Sequence, residues 1–211
     1  MQIAGVDLYW RVNMHKTFIS YHHDNEQEYK EDIIKEFGED NFIDKSVGDG
    51  EIDTDLDESR IMEIIRTDYL QDSTVTLVLV GSETAKRPFV NSEIQASLRD
   101  TKNNKHNGLL AVVIDEIYDL IYTTIKCSCG CEARTKSAFY DIYLPDLVKK
   151  NNQKSTSLCH YNDSEVYCAV IKYSDFIVEP EKYINSAFDK RDDSKIEIFK
   201  TLDKETPKIS K

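Results

Sequence analysis

The sequence predicts an α/β fold: a five-stranded parallel sheet in the order 2-1-3-4-5, with helices on both faces. Three observations lead there. Short β-rich or apolar runs alternate with amphipathic helical patterns along the chain, as right-handed β–α–β crossovers require. The run at 73–81 is apolar enough to be covered on both faces, as a central parallel strand is. The most unusual polar residues fall where the first and third strands end. That is the switch point at which open α/β sheets bind ligands.

Residues 1–15 have no clear place in the core and are read as an N-terminal extension, with Met14 as an alternative start. Residues 16–21 (KTFISY) form the first strand. Asp24 or Asn25 is expected to cap the first helix, with Gln27 or Glu28 closing a capping box. Tyr29, Ile33 and Phe37 repeat every four residues, and Gly38 stops that helix. Residues 41–43 form a short second strand, and an acidic, glycine-containing loop follows over 45–55. A second helix is expected over 57–70, with Ile61, Ile64, Ile65 and Tyr69 on one side. After the third strand, Pro88 suits a first helical turn, where its missing N–H is not needed. Val90, Ile94 and Leu98 then form the stripe that packs on the sheet. Phe89 and Glu93, also four apart, lie on a face rotated by about 100° from that stripe. An aromatic ring and a carboxylate thus meet at the edge of the buried face.

The fourth strand is expected at 108–115 and the fifth at 165–173. The stretch between them, about 116–164, is far longer than a crossover helix needs and reads as an insertion. A last helix is expected at 181–188, and 191–211 reads as a charged, solvated tail.

Composition narrows the function. The 211 residues and 40% hydrophobic content suit one domain with decorations. A net charge of −12 repels phosphate backbones, so nucleic acid is not an expected partner. No apolar run reaches the roughly 18–20 residues of a membrane helix, and no signal peptide is evident. A cytoplasmic protein with no membrane partner is expected. Five cysteines without a secretory signal read as reduced thiols. Cys127, Cys129 and Cys131, with Cys159 and His160, raise the thought of zinc. The C-x-C-x-C spacing departs from C-x2-C pairs, so free thiols and no metal are expected.

Two loops flank the switch point, one running from Ser20 to Asp24 and one from Gly81 to Glu93. His22 and His23 sit in the first. A histidine at a strand end can bind phosphate or move protons near neutral pH. Asp44 and Ser46 border the crevice from the second strand. The acids Glu51, Asp53 and Asp55 read as solvating a turn.

Phe18-Ile19-Ser20-Tyr21 resembles the first-strand signature of TIR domains, which have a flavodoxin-like fold. Ser73 to Thr84, followed by Arg87-Pro88-Phe89-Val90-Asn91-Ser92-Glu93-Ile94, resembles the TIR-like proteins of the bacterial Thoeris anti-phage system. The similarity covers residues 16–115 and leaves the insertion and tail unexplained. The family motif W-V-x-x-E is met with Phe89 in place of Trp, which loses an indole N–H. The resemblance implies a TIR-like domain over 16–190 and NAD+ as a substrate rather than a bound cofactor. It implies Glu93 as the essential glutamate. Ser20, Tyr21 and Asp24 are then expected to position ribose or phosphates with His22 and His23, and Phe89 to wall the nicotinamide side. The expected activity is that of an NAD+ nucleosidase or ADP-ribose cyclase. Its product, cyclic or conjugated, would signal to a separate defence effector after a phage-derived trigger and self-assembly.

A non-catalytic TIR-like adaptor acting by protein–protein assembly is the alternative, because fold alone does not assign chemistry. A phospho-acceptor receiver domain shares the sheet order. It needs an acidic pair at the first strand, and Asp24 has no adjacent acid.

Overall fold

The computed structural model describes residues 15–38, 41–43, 46–48, 50–53, 55–70, 72–102, 105–130, 132–153 and 163–202. The strands are β1 (Thr17–Ser20), β2 (Phe42–Ile43), β3 (Val75–Val80), β4 (Gly108–Val113), β5 (Tyr122–Lys126), β6 (Glu132–Lys136) and β7 (Cys168–Lys172). The helices are α1 (Gln27–Phe37), α2 (Glu58–Ile64), α3 (Pro88–Ser97), α4 (Asp115–Ile121), α5 (Tyr140–Tyr143), α6 (Asp146–Asn151), α7 (Tyr173–Val178) and α8 (Pro180–Asp189). Five strands form one parallel sheet in the order β2-β1-β3-β4-β7. Because β7 is the fifth strand of this sheet along the chain, the order is the one the sequence predicts.

Side-chain alternation divides the core between the two faces. Val78, Val80, Ala111 and Val113 pack on one face against Val90, Ile94 and Leu98 of α3. Leu77, Leu79, Leu110 and Val112 pack on the other against Ile33 of α1, Phe176 of α7 and Ile184 of α8. Beside β1 and β2, Phe18, Ile43, Val47, Met62 and Ile65 form a third cluster, against which Phe89 packs. At Gly108 a Cβ would run into the carbonyl of Ala187, so the bare glycine lets the α8 backbone lie directly on β4.

Two expectations are corrected, the cap of α1 and the solvation of the tail. No side-chain cap from Asp24 or Asn25 starts α1. Glu26 precedes the helix and turns back instead: its Oε2 accepts from the His22 N–H at 2.8 Å, while its own N–H donates to the His22 carbonyl at 3.0 Å. The insertion packs into the body of the domain. The antiparallel hairpin β5–β6, then α5 and α6, carry Tyr122, Tyr140, Leu144 and Leu147 into the core of the α3 face. Truncating Leu147, which is fully buried, to Ala should cost roughly 2–5 kcal/mol. The tail is not wholly solvated. Ile196, Ile198 and Leu202 lie against that same core, and Phe199 exchanges backbone hydrogen bonds with the Asn151 side chain.

The cysteine cluster occupies the β5–β6 turn, where Cys127 is half-buried and Cys129 exposed. Cys131, Cys159, His160 and residues 1–14 of the extension lie outside the described residues. Among the described residues, no His, Cys, Asp and Glu group has the makings of a metal site. No helix there is long and apolar enough to cross a membrane.

Candidate active site

Glu93 sits at the sixth position of α3, with Pro88 opening the helix and the Val90–Ile94–Leu98 stripe turned to the sheet. This geometry sends the carboxyl towards the end of β1. Glu93 is 1% exposed. Its Oε2 accepts a short hydrogen bond from Ser20 Oγ, and its Oε1 accepts from the Val47 N–H at 2.6 Å. Burial pushes the carboxyl up to about 8; the Ser20 and Val47 hydrogen bonds and the charge of Arg87 pull the other way. Desolvation wins because two neutral donors do not replace a hydration shell. In this closed arrangement Glu93 holds its proton near neutral pH.

The loop that caps Glu93 is itself tied down. Ser46 Oγ lies 2.7 Å from His23 Nε2. The Gly48 N–H donates to Glu51 Oε2 at 3.0 Å, and Tyr69 Oη donates to the same oxygen at 3.1 Å. Val47 and Ile52 are buried, which adds apolar contact to these polar ties. Ser20, His23, Ser46 and Glu93 therefore form one continuous constellation.

The other expected residues lie around it in different ways. Tyr21 follows Ser20 along β1 and so points to the opposite face. Its hydroxyl donates to Gln27 Oε1 at 2.8 Å and its ring stacks on His23. His22 is buried, and its Nδ1 accepts from the Asp24 N–H at 3.2 Å. Asp24 is exposed at the loop tip. Phe89 is half-buried and packs against the cluster that contains Val47. Asp44 lies outside the described residues.

Two participants were not foreseen. Val47 contributes a backbone N–H, which leaves no side-chain signature. Glu26 is a second buried carboxyl at this end of the sheet, 1% exposed and raised by burial to about 7. Its Oε1 is buried with no hydrogen-bond partner among the described residues, pressed against Gly81 at the end of β3. A glutamate just before a helix signals this arrangement only if it is allowed to fold back on the preceding strand end.

A five-stranded 2-1-3-4-5 sheet, with a buried glutamate from the helix after β3 meeting the end of β1, defines a TIR-like domain. Residues 18–118 match the family model described as Thoeris protein ThsB, TIR-like domain, and over that span the chain is similar to this family. Its role is accordingly in anti-phage defence, in a system with other components. The match ends within α4, so the β5–β6 hairpin, β7, α7 and α8 lie beyond it. A search of curated proteins finds no match.

Proposed function

We propose that the chain is a TIR-like enzyme that cleaves NAD+ and transfers its ADP-ribose, making a cyclic or conjugated signal for a separate defence effector. The observation that carries this reading is the buried Glu93–Ser20 pair at the switch point of a ThsB-type TIR-like domain. Heterolysis of the nicotinamide–ribose bond leaves the bonding electrons on nicotinamide and positive charge on the ribose. Nicotinamide departs as a neutral molecule, so no strong general acid is required. Glu93 stabilises the charge as a carboxylate and hydrogen-bonds the ribose hydroxyls. An acceptor nucleophile then bonds to the anomeric carbon. It comes from the same molecule in a cyclic product, or from a small partner in a conjugate.

Both Glu93 oxygens are spent on Ser20 and Val47 in the closed form. For the ribose to bond Glu93, the 46–48 loop must release Oε1. The cationic nicotinamide riboside then favours the ionised carboxyl, as an opposite charge nearby does. This supports a resting protein with little turnover, completed by a phage-derived trigger and self-assembly in the cytoplasm.

The test is mass spectrometry of NAD+ incubated with parent and Glu93→Gln protein, alone and with lysate of phage-infected cells. NAD+ loss with an ADP-ribose-derived product in the parent only is the expected result. Intact NAD+ under every activating condition would count against the reading. The adaptor reading draws on one feature: Leu120, Phe139 and Ile142 are exposed on the insertion. Defence that survives Glu93→Gln would favour it.

A further inference from the structure

A cavity of about 330 Å³ lies outside β7, at the edge of the sheet away from the β1–β3 switch point. That volume is at the lower end of the range for small-molecule sites. Its lining includes four cations, Arg134, Lys172, Lys182 and Lys190, and two carboxylates, Asp163 and Asp175. Four cations against two carboxylates thus line one cavity of a chain whose net charge is −12, and Asp119 and Glu179, bonded to Lys172 and Lys182, balance them from outside the lining. All six residues lie beyond the family-matched span.

Lys190 is the unusual member. It is 6% exposed, and its Nζ donates to the carbonyl of Asp163 at 2.6 Å. No ion pair is made by Lys190 among the described residues, because the nearby Asp163 carboxylate accepts from Arg134 Nη2 at 2.9 Å. An ammonium has three N–H donors, and burying one without a counter-ion is costly. Arg134 is fixed in place beside it, its guanidinium 4.2 Å from the Tyr122 ring centroid. Lys182 and Lys172 carry exposed partners, Glu179 and Asp119, which a tighter-binding anion can displace at small cost.

We infer that this cavity is a ligand site for a small phosphate-bearing molecule, with the phosphate seated on Lys190, Arg134 and Lys182. A phosphate monoester carries a charge of about −1.5 to −2 near neutral pH, enough to take the place of the exposed carboxylates now paired with Lys182 and Lys172. Its several oxygens can use the spare Lys190 donors together with the guanidinium fork. Tyr183, also in the lining, gives a flat surface for whatever the phosphate is attached to. The inference is independent of NAD+ cleavage, because its readout is binding.

The full chain is titrated with inorganic phosphate, pyrophosphate and AMP at matched ionic strength, followed by calorimetry and thermal shift. Saturable binding of at least one probe is expected, weakening as salt is raised. Lys190→Met removes the buried charge and keeps most of the stem. It is expected to weaken binding about tenfold or more, since a hydrogen bond to a charged group is at stake. Its ligand-free melting temperature should be unchanged or higher. Lys182→Glu, at an exposed position, tests the site even if the first variant fails to fold, and is expected to weaken binding several-fold. Inorganic phosphate binding as tightly as AMP assigns the free ion; tighter AMP assigns a nucleotide. No saturable binding of any probe, or binding that Lys182→Glu and any folded Lys190→Met protein leave unchanged, overturns the inference.

Discussion

Ser20 and Glu93, 73 positions apart in sequence, share a short hydrogen bond inside the protein, Ser20 Oγ donating to Glu93 Oε2. The contact joins the end of β1 to α3 and fixes the carboxyl at the switch point. It also makes Glu93 testable without disturbing the fold. Glutamine has the same size, and its amide oxygen can still accept one of the two hydrogen bonds.

Glu93→Gln should therefore fold, keep its thermal midpoint within a few degrees at neutral pH, and lose nearly all NAD+ cleavage. Electrostatic groups of this kind are worth roughly 10²–10³ in rate in other enzymes, which sets the scale. Glu83 lies in the neighbouring loop with its carboxyl on Lys86 and Asn25 at the surface, so Glu83→Gln should change turnover little. Mass-spectrometric product formation by the two variants checks both. Parent-like turnover by Glu93→Gln would remove Glu93 from the chemistry.

The two buried carboxyls set the pH dependence of stability. Glu93 is raised from 4.5 to about 8 and Glu26 from 4.5 to about 7. The folded chain holds protons that the unfolded chain releases above pH 4.5. Their contribution is complete below that value and is lost as pH rises through 7 and 8. Each group can contribute up to about 1.4 kcal/mol per pH unit within its window. Burial holds His106 below its ordinary value, which opposes this only on the acid side, where stability falls as His106 must take up a proton. Melting temperatures should fall as pH rises from about 4.5 to about 8, and Glu93→Gln should flatten that fall. An equal slope in parent and variant would show that Glu93 ionises freely in the folded protein.

Glu26 and Gly81 should be energetically coupled. A Cβ on Gly81 would fall on Glu26 Oε1, closer than a carbon and an oxygen can approach. Overpacking of this kind typically costs about 1–3 kcal/mol. Gly81→Ala is expected to destabilise by that amount. In the background of Glu26→Ala, which vacates the space, the same change should cost much less. A double-mutant cycle by chemical denaturation measures the difference. Additive effects would mean that the β1 and β3 loops do not press on each other here.

What could be read from the sequence followed side-chain pattern. The sheet order, α3 and Glu93 rest on apolar runs, the four-residue stripe and a motif whose side chains do the work. What was missed had no such pattern. Val47 acts through its backbone, and Glu26 acts by folding back four residues. The β5 strand reads Tyr-Thr-Thr-Ile-Lys, with one buried residue at its start and four exposed ones after it, so its alternation never registers against a core. The tail's Ile196 and Ile198 are spaced by two. That is the period of extended chain lying on a surface, and the surrounding charges conceal it.

The 46–48 loop should act as a latch on the site. Its Val47 N–H occupies Glu93 Oε1, and its Ser46 hydroxyl is bonded to His23 Nε2 at 2.7 Å. Ser46 is buried and His23 half-buried, so this bond is partly shielded from water and its loss is felt by the loop. A hydrogen bond contributes roughly 0.5–1.5 kcal/mol, which corresponds to about a two- to tenfold change in a closed–open equilibrium. Ser46→Ala should therefore raise NAD+ cleavage by the unstimulated protein by a few-fold, with no gain once the protein is fully triggered. The increase should vanish in the Ser46→Ala, Glu93→Gln double variant, which ties it to the same carboxyl. A fall in turnover with a raised KM would assign Ser46 to substrate binding, the role first expected of it. Steady-state rates of the untriggered and triggered proteins separate the two, because a latch changes only the population of open sites while a binding contact changes KM in both states.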